Sequence, residues 1–246
     1  MTNPNIVAIV EARMNSSRFP GKHLKMANGK PLLQHLIERL RKVSLINEIV
    51  IATTENSTDD ILVQFANKIG VSCFRGSESD VMDRVLGAGQ IFSADIICEV
   101  TGDCPIIDPE LVDELINTFL VNKAVYINNG RHGLPDGMGA QVFTLEALKQ
   151  SAEMTQNPLD REHVTLHIRR NPELFPSIYL VAPDSLYWPD LGLTLDEKDD
   201  FELLKRIIEY FGDANPYFGC REVIELLRER PDWVSINQHV RRKGDN

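Results

Sequence analysis

IVAIVEARMNSSRFPGKHL, residues 6–24, joins an apolar run to a cationic loop. Ile6–Val10 is short, continuous and rich in β-branched residues, which predicts a strand buried on both faces. The loop from Ala12 to Lys22 brings together Arg13, Asn15, Ser16, Ser17, Arg18, Pro20, Gly21 and Lys22. Arginine offers a planar fork to phosphate oxygens, and lysine offers a mobile point charge. Three cations and two hydroxyls directly after a first buried strand predict a loop that holds a polyphosphate. The loop has neither the GxxxxGK[ST] of a P-loop nor the spaced glycines of a dinucleotide fingerprint. Its phosphate chemistry therefore rests on side chains.

Outward from this stretch the chain alternates. Leu32, Leu33, Leu36, Ile37 and Leu40 are at helical spacing, with Pro31 suited to an early helical position. Ile49–Thr53 and Val71–Phe74 read as strands on either side of a helix over Asp59–Ile69. A helix over Asp80–Phe92 leads to a fourth strand, Asp95–Val100, and then to a helix over Pro109–Leu120. Strand–helix alternation predicts a mostly parallel sheet covered on both faces, with its active edge at the carboxyl ends of the strands. After residue 120 the rhythm changes. Strands are expected at Val125–Asn128 and Gln141–Thr144, and helices at Leu145–Met154, Asp160–Arg169, Asp199–Tyr210 and Arg221–Arg228. No repeat, low-complexity linker or domain break interrupts the chain. The sequence predicts one domain over residues 1–246, with about 120–190 as a substrate or dimerisation subregion.

Of the 246 residues 43% are hydrophobic, sufficient for an ordinary core, and Asp plus Glu outnumber Lys plus Arg 36 to 26. The resulting charge of −10 argues against coating nucleic acid by bulk charge. It makes the cations at Arg13, Arg18 and Lys22 stand out. The four cysteines (Cys73, Cys98, Cys104 and Cys220) form no CxxC pair, so core packing in a reducing cytoplasm is expected. No signal-peptide pattern or apolar stretch of spanning length is present.

Several side chains are candidates for chemistry. TGDCPIIDP, Thr101–Pro109, places Asp103 just after a buried strand, where a carboxylate suits Mg²⁺ held against phosphates. Asp108 precedes Pro109 and Glu110, and an N-cap is the preferred reading. Asp196 follows the run Leu191–Leu195. It either meets Asp103 or caps the helix starting near Asp199. In RGSESDVMDRV, Ser77, Asp80, Asp83 and Arg84 either line a pocket or serve as capping and pairing residues. His163 and His167 would share one helical face, but without HExxH they do not indicate zinc. Arg241-Arg242-Lys243 reads as a solvated basic end.

The ordered motifs resemble the cytidylyltransferase family of acylneuraminate and deoxyoctulosonate cytidylyltransferases. They are most similar to its spore-coat-polysaccharide SpsF-like branch. ARMNSSRFPGK resembles that branch's ARMGSTRLPGK, and RGSESDVMDR, TGDCPIIDP, REHVT, LTLDEKDDFELL and WVSINQHVRRK follow in the same order. The resemblance spans nearly the whole chain. It implies a three-layer α/β/α nucleotide-diphospho-sugar transferase fold, Rossmann-like, often dimeric, acting on CTP and an acidic keto-sugar with Mg²⁺. On this resemblance Arg13 and Lys22 bind the triphosphate, and Asp103 and Asp196 hold the metal. Ala12, Asn15, Ser16, Ser17 and Arg18 shape the nucleotide loop, and Ser77, Asp80, Asp83 and Arg84 fall on the nucleotide side. Arg131, His132, Asp136, Arg161, Glu162 and His163 are the candidates for the sugar side. Two departures from the branch pattern bear on the loop's chemistry: Asn15 replaces a glycine and Glu11 replaces a frequent glutamine. Asn15 is expected to narrow the pocket or add a phosphate hydrogen bond.

Overall fold

Residues 3–130 and 132–242 are described by a computed structural model. Its elements in chain order begin with β1 (Ile6–Glu11), β2 (Met26–Ala27), β3 (Lys30–Pro31), α1 (Leu32–Leu40), β4 (Glu48–Thr54) and α2 (Asp60–Ile69). Next come β5 (Ser72–Gly76), α3 (Val81–Ile91), β6 (Ile96–Thr101), α4 (Pro109–Val121), β7 (Tyr126–Asn128) and β8 (Gln141–Thr144). The remainder comprises α5 (Leu145–Met154), α6 (Pro158–Glu162), α7 (Leu166–Arg170), β9 (Ser177–Tyr179), α8 (Lys198–Phe211), α9 (Cys220–Glu229) and α10 (Pro231–Val234).

The main sheet has the order β5-β4-β1-β6-β8-β7-β9. β5, β4, β1 and β6 pair in parallel, β8 is antiparallel to both β6 and β7, and β9 is parallel to β7. Only β8 therefore runs against the rest. Alternation along β1 explains why this run is central. Ile6, Ala8 and Val10 pack under α1, α2 and α4, while Val7 and Ile9 pack under α3, α5 and α7. A third apolar cluster joins Leu191, Leu193 and Leu195 to α8, α9 and Trp233 at one side. Arg39 is buried there with its guanidinium on the carbonyls of Ile107, Pro216 and Phe218 at 3.3, 3.1 and 2.8 Å. Burial lowers its pKa to about 10.

Three local readings change. Pro31 stands just before α1 rather than inside it, because Lys30–Pro31 pairs antiparallel with Met26–Ala27. The connecting Asn28-Gly29 has φ of 43° and 74°, as a two-residue type I′ hairpin requires. The expected helix over Asp160–Arg169 is two short helices, α6 and α7, broken at buried Val164 with φ 40°. A β-branched residue rarely adopts this conformation, and the break removes the expected shared face of His163 and His167. The run Leu191–Leu195, in a stretch from Phe175 expected to mix short strands and loops, holds only an isolated parallel bridge between Gly192 and Asp136. It is tied by Leu193 N–H to the Asp136 carbonyl at 2.7 Å and by Leu195 N–H to the Asp103 carbonyl at 2.8 Å. Among the described residues no helix is long and apolar enough to cross a membrane.

Candidate active site

The parallel register places Glu11 opposite both Ala52 and Thr101, so the loops after β1 and β6 leave the sheet side by side. Gly102 permits their close approach. Its N–H donates to the Glu11 carbonyl at 2.9 Å, and a Cβ there would lie 2.6 Å from that oxygen. The cationic loop is folded back on itself, with Ser16 and Gly21 N–H on the Met14 carbonyl at 3.0 and 2.9 Å. Gly21 has φ 70°, and Lys22 follows in a tight 3-10 turn. Asp59 anchors the loop. It accepts from Met14 N–H at 2.7 Å, Thr53 Oγ1 at 3.1 Å and Thr54 Oγ1 at 2.5 Å. Burial opposes its charge, but the bonds from Thr54, Met14 and Thr53 outweigh that and lower its pKa.

A cleft of about 530 Å³ opens at this edge of the sheet. It is lined by Ala12, Arg13, Ser16, Ser17, Arg18 and Lys22 from the first loop, and by Arg84, Asp103, Glu162, His163 and Asp196 from elsewhere. Its centre is an ion cluster. Lys22, only 5% exposed, sets Nζ 2.8 Å from Asp103 Oδ2 and 3.4 Å from Asp196 Oδ1. Arg18 Nη2 lies 2.7 Å from the same Asp196 oxygen. Asp196 therefore turns to the cations, and the helix-capping alternative belongs to other residues. Glu197 and Asp200 form the capping box of α8. Asp108 caps α4 as expected, accepting from Glu110 N–H at 2.9 Å, and it also accepts from Cys220 N–H at 2.7 Å.

Other candidates fall outside the cleft lining. Asn15 has no positive φ, and its Nδ2 donates to Thr58 Oγ1 at 3.1 Å. Asp80 caps α3 and pairs with Arg161, Nη2 to Oδ2 2.6 Å, so both are engaged in holding α6 against α3. Ser77 Oγ accepts from Asp80 N–H at 3.0 Å, and Asp83 is exposed on α3. His132 packs edge-on against Tyr179 with ring centroids 5.2 Å apart. Asp136 accepts from Thr194 Oγ1 at 3.2 Å, behind Asp196. Arg131 lies outside the described residues. His167 approaches Ser151 Oγ at 3.1 Å, away from His163. All four cysteines are free, and burial pushes the thiols of Cys98 and Cys220 up to about 12, so none is poised as a nucleophile.

Glu11, singled out in the sequence as a departure beside the loop, lines the cleft, and sequence reading missed His23, Glu78, Ser79, Val81 and Thr101 as cleft residues. His23 is buried beside Gly102, its Nδ1 3.2 Å from that carbonyl and its Nε2 3.8 Å from Asp103 Oδ1. Burial lowers its pKa, against the opposing pull of Asp103 and the Gly102 carbonyl, and so favours the neutral ring. The carbonyl partner assigns the proton to Nδ1, which leaves the Nε2 lone pair toward Asp103. Glu11 and buried Glu99 form a carboxylate pair on adjacent strands. Burial raises both pKa values, Glu99 well above the usual carboxylate range, with Glu11 adding to its shift. Behind them Gln141 donates to Glu99 at 3.3 Å and accepts from Tyr126 and Thr165, each at 2.6 Å. Arg84 is also buried, its Nη1 on the Ser77 carbonyl. Burial lowers its pKa while Glu11 opposes this.

Two carboxylates converging on a cationic loop at the strand ends suit a nucleotidyltransferase. Among the described residues no cluster of three or more His, Cys, Asp or Glu has metal-holding geometry. Two carboxylates nevertheless fit Mg²⁺, which takes its remaining oxygens from substrate and water. The cytidylyltransferase family profile matches residues 7–214, and the chain belongs to that family. It is 35% identical to an uncharacterised protein of Methanocaldococcus jannaschii over 97% of each chain. It is 34% identical to the spore coat polysaccharide biosynthesis protein SpsF of Bacillus subtilis, over 93% of this chain and 96% of that one. A solved cytidylyltransferase from Leptospira borgpetersenii superposes with a TM-score of 0.89 at 31% identity, covering 98% of this chain and 100% of the other. The three-layer α/β/α Rossmann-like nucleotidyltransferase fold and the enzyme class expected from the sequence are thereby established.

Proposed function

We propose that the protein transfers CMP from CTP to an acidic keto-sugar, releasing pyrophosphate, as a step in surface-polysaccharide synthesis. The carrying observation is the position of Lys22 Nζ, 2.8 Å from Asp103 and 3.4 Å from Asp196 on a loop that also supplies Arg13 and Arg18. Asp103 and Asp196 would hold Mg²⁺, and Arg13, Arg18, Lys22, Ser16 and Ser17 would receive the triphosphate. When bound, Mg²⁺ supplies Lewis-acid polarisation of the phosphate under attack. The protein's own part is to place the sugar hydroxyl in line with the α-phosphorus and to neutralise charge growing on pyrophosphate. Lys22 and Arg13 do the latter. Lys22 exchanges its carboxylate partners for phosphate oxygens as the nucleotide enters. Glu162 and His163, on the cleft wall, face the sugar, and Arg161 braces them through Asp80. The family resemblance implies a dimer, and we propose a homodimer through residues 120–190, which light scattering tests.

Asp103→Asn keeps the shape of the side chain and removes its charge. It should lower the rate of pyrophosphate release by about 10²-fold or more, on the scale of losing one charge-stabilising group, with the unfolding midpoint little changed. Full Mg²⁺-dependent activity in this variant would refute the metal role. Release assayed with each of the four nucleoside triphosphates should favour CTP. Preference for another nucleotide would overturn the cytidylyl assignment.

A further inference from the structure

Of the basic segment read as a solvated end, Lys243 lies outside the described residues, while Arg241 and Arg242 are held beside the candidate metal carboxylate. Asp200 is fully buried, at 0% exposure. A buried carboxylate is costly unless paired and hydrogen-bonded. Its Oδ2 accepts from the backbone N–H of Asp196 at 3.0 Å and of Glu197 at 2.8 Å. Its Oδ1 accepts from Asn237 Nδ2 and from Arg242 Nη2, both at 2.8 Å. Arg242 thus balances the charge that pins the backbone of Asp196.

The guanidinium also packs beside the same residue. Arg242 Nη1 donates to Thr194 Oγ1 at 3.0 Å, while the Thr194 hydroxyl gives its one proton to Asp136 Oδ2 at 3.2 Å and stands 3.5 Å from Asp196 Oδ2. Arg242 itself stays 3.9 Å from that oxygen, beyond a direct hydrogen bond, so it does not block the carboxylate. The segment is tied down independently. Asn237 donates to the Gly192 carbonyl at 2.9 Å, Val240 is buried, and the Arg241 carbonyl accepts from Arg18 Nη1 at 3.3 Å. Gly192 leaves the space for the guanidinium. A Cβ there would lie 1.9 Å from Arg242 Nη2, and Gly192 has no positive φ, so the requirement is room alone.

We infer that Arg242 is a positioning residue, and that residues 235–242 act as a strap holding Asp196 in its metal-binding orientation through Asp200. The inference rests on the reading of Asp196 as a metal carboxylate. Outer-shell partners of metal ligands characteristically shift metal affinity by about 10–100-fold.

Calorimetric titration of CTP with Mg²⁺ and with EDTA, without acceptor sugar, isolates the metal-dependent gain in affinity from turnover. In Arg242→Gln that gain should shrink by about tenfold or more, with affinity in EDTA near that of the unsubstituted protein. Gly192→Ala retains every charge and only displaces the guanidinium, and it should give the same loss. An unchanged gain in both variants, even with a lowered unfolding midpoint, would reduce the strap to a structural role and overturn the inference. Asp103→Asn separates the two levels. If it loses the gain while both strap variants keep it, the strap inference fails alone; if all three keep it, the metal reading fails and the strap inference with it.

Discussion

Lys22 is held where a cation already has two anionic partners, which explains how a lysine becomes almost fully buried on a loop. The partners are Asp103 and Asp196, and Arg18 shares the second. A charge-assisted hydrogen bond contributes about 1.5–3 kcal/mol, so Lys22→Ala should weaken CTP binding by about 10–100-fold. CMP, which lacks the β- and γ-phosphates, should lose much less. Equal losses for the two ligands in parallel titrations would contradict the β,γ-phosphate role. The loop cations and Asp103 were legible because each sits in a compact motif next to a recognisable strand. Asp59, Asp200 and Arg242 were not. Their roles arise from contacts with residues distant in the chain or from burial, neither of which spacing encodes. Asn15, a conspicuous departure in the sequence, is turned to Thr58 and leaves the phosphate face of the loop to its neighbours.

At the scale of elements, β1 and β6 carry the most unusual electrostatics. Glu11 and Glu99 sit on adjacent parallel strands, and burial raises the pKa of both, that of Glu99 well above the ordinary carboxylate range. The unfolded chain releases their protons near the usual glutamate value. The stability associated with the neutral pair is therefore complete at acid pH and declines as pH rises through the raised folded values. Glu11→Gln keeps the shape, supplies a donor to Glu99 and removes one of the two charges. Its unfolding midpoint should exceed that of the unsubstituted protein at pH 8 by roughly 2–4 °C, the shift about 1 kcal/mol brings in a chain of this size, and should converge with it near pH 4. A difference constant across that range would rule out raised pKa values at this pair. Periodicity revealed most helices and strands within a residue or two. It failed at Val164, where a buried β-branched residue in a left-handed conformation splits one apparent helix into α6 and α7. Asn28-Gly29 carried a hairpin signal between runs too short to register as strands.

Across the whole molecule, a net charge of −10 surrounds a cleft whose lining gathers Arg13, Arg18, Lys22 and Arg84 against Glu11, Glu78, Asp103, Glu162 and Asp196. Strand–helix alternation made the parallel half of the sheet legible. The return of β8 against it, and the packing of α8 and α9 over residues 191–195, depend on where later segments dock. That docking brings Asp196 to Lys22 and joins the last third of the chain to the first loop. Cytidylyl transfer is the reaction proposed at that junction. Pyrophosphate release measured with CTP and Mg²⁺ over a panel of nonulosonic and octulosonic acids tests it most directly. Release that requires one of these sugars, accompanied by the matching CMP-sugar and abolished by EDTA, is the predicted result. CTP binding with no sugar-dependent release across the panel, or release only with a sugar phosphate, would contradict it.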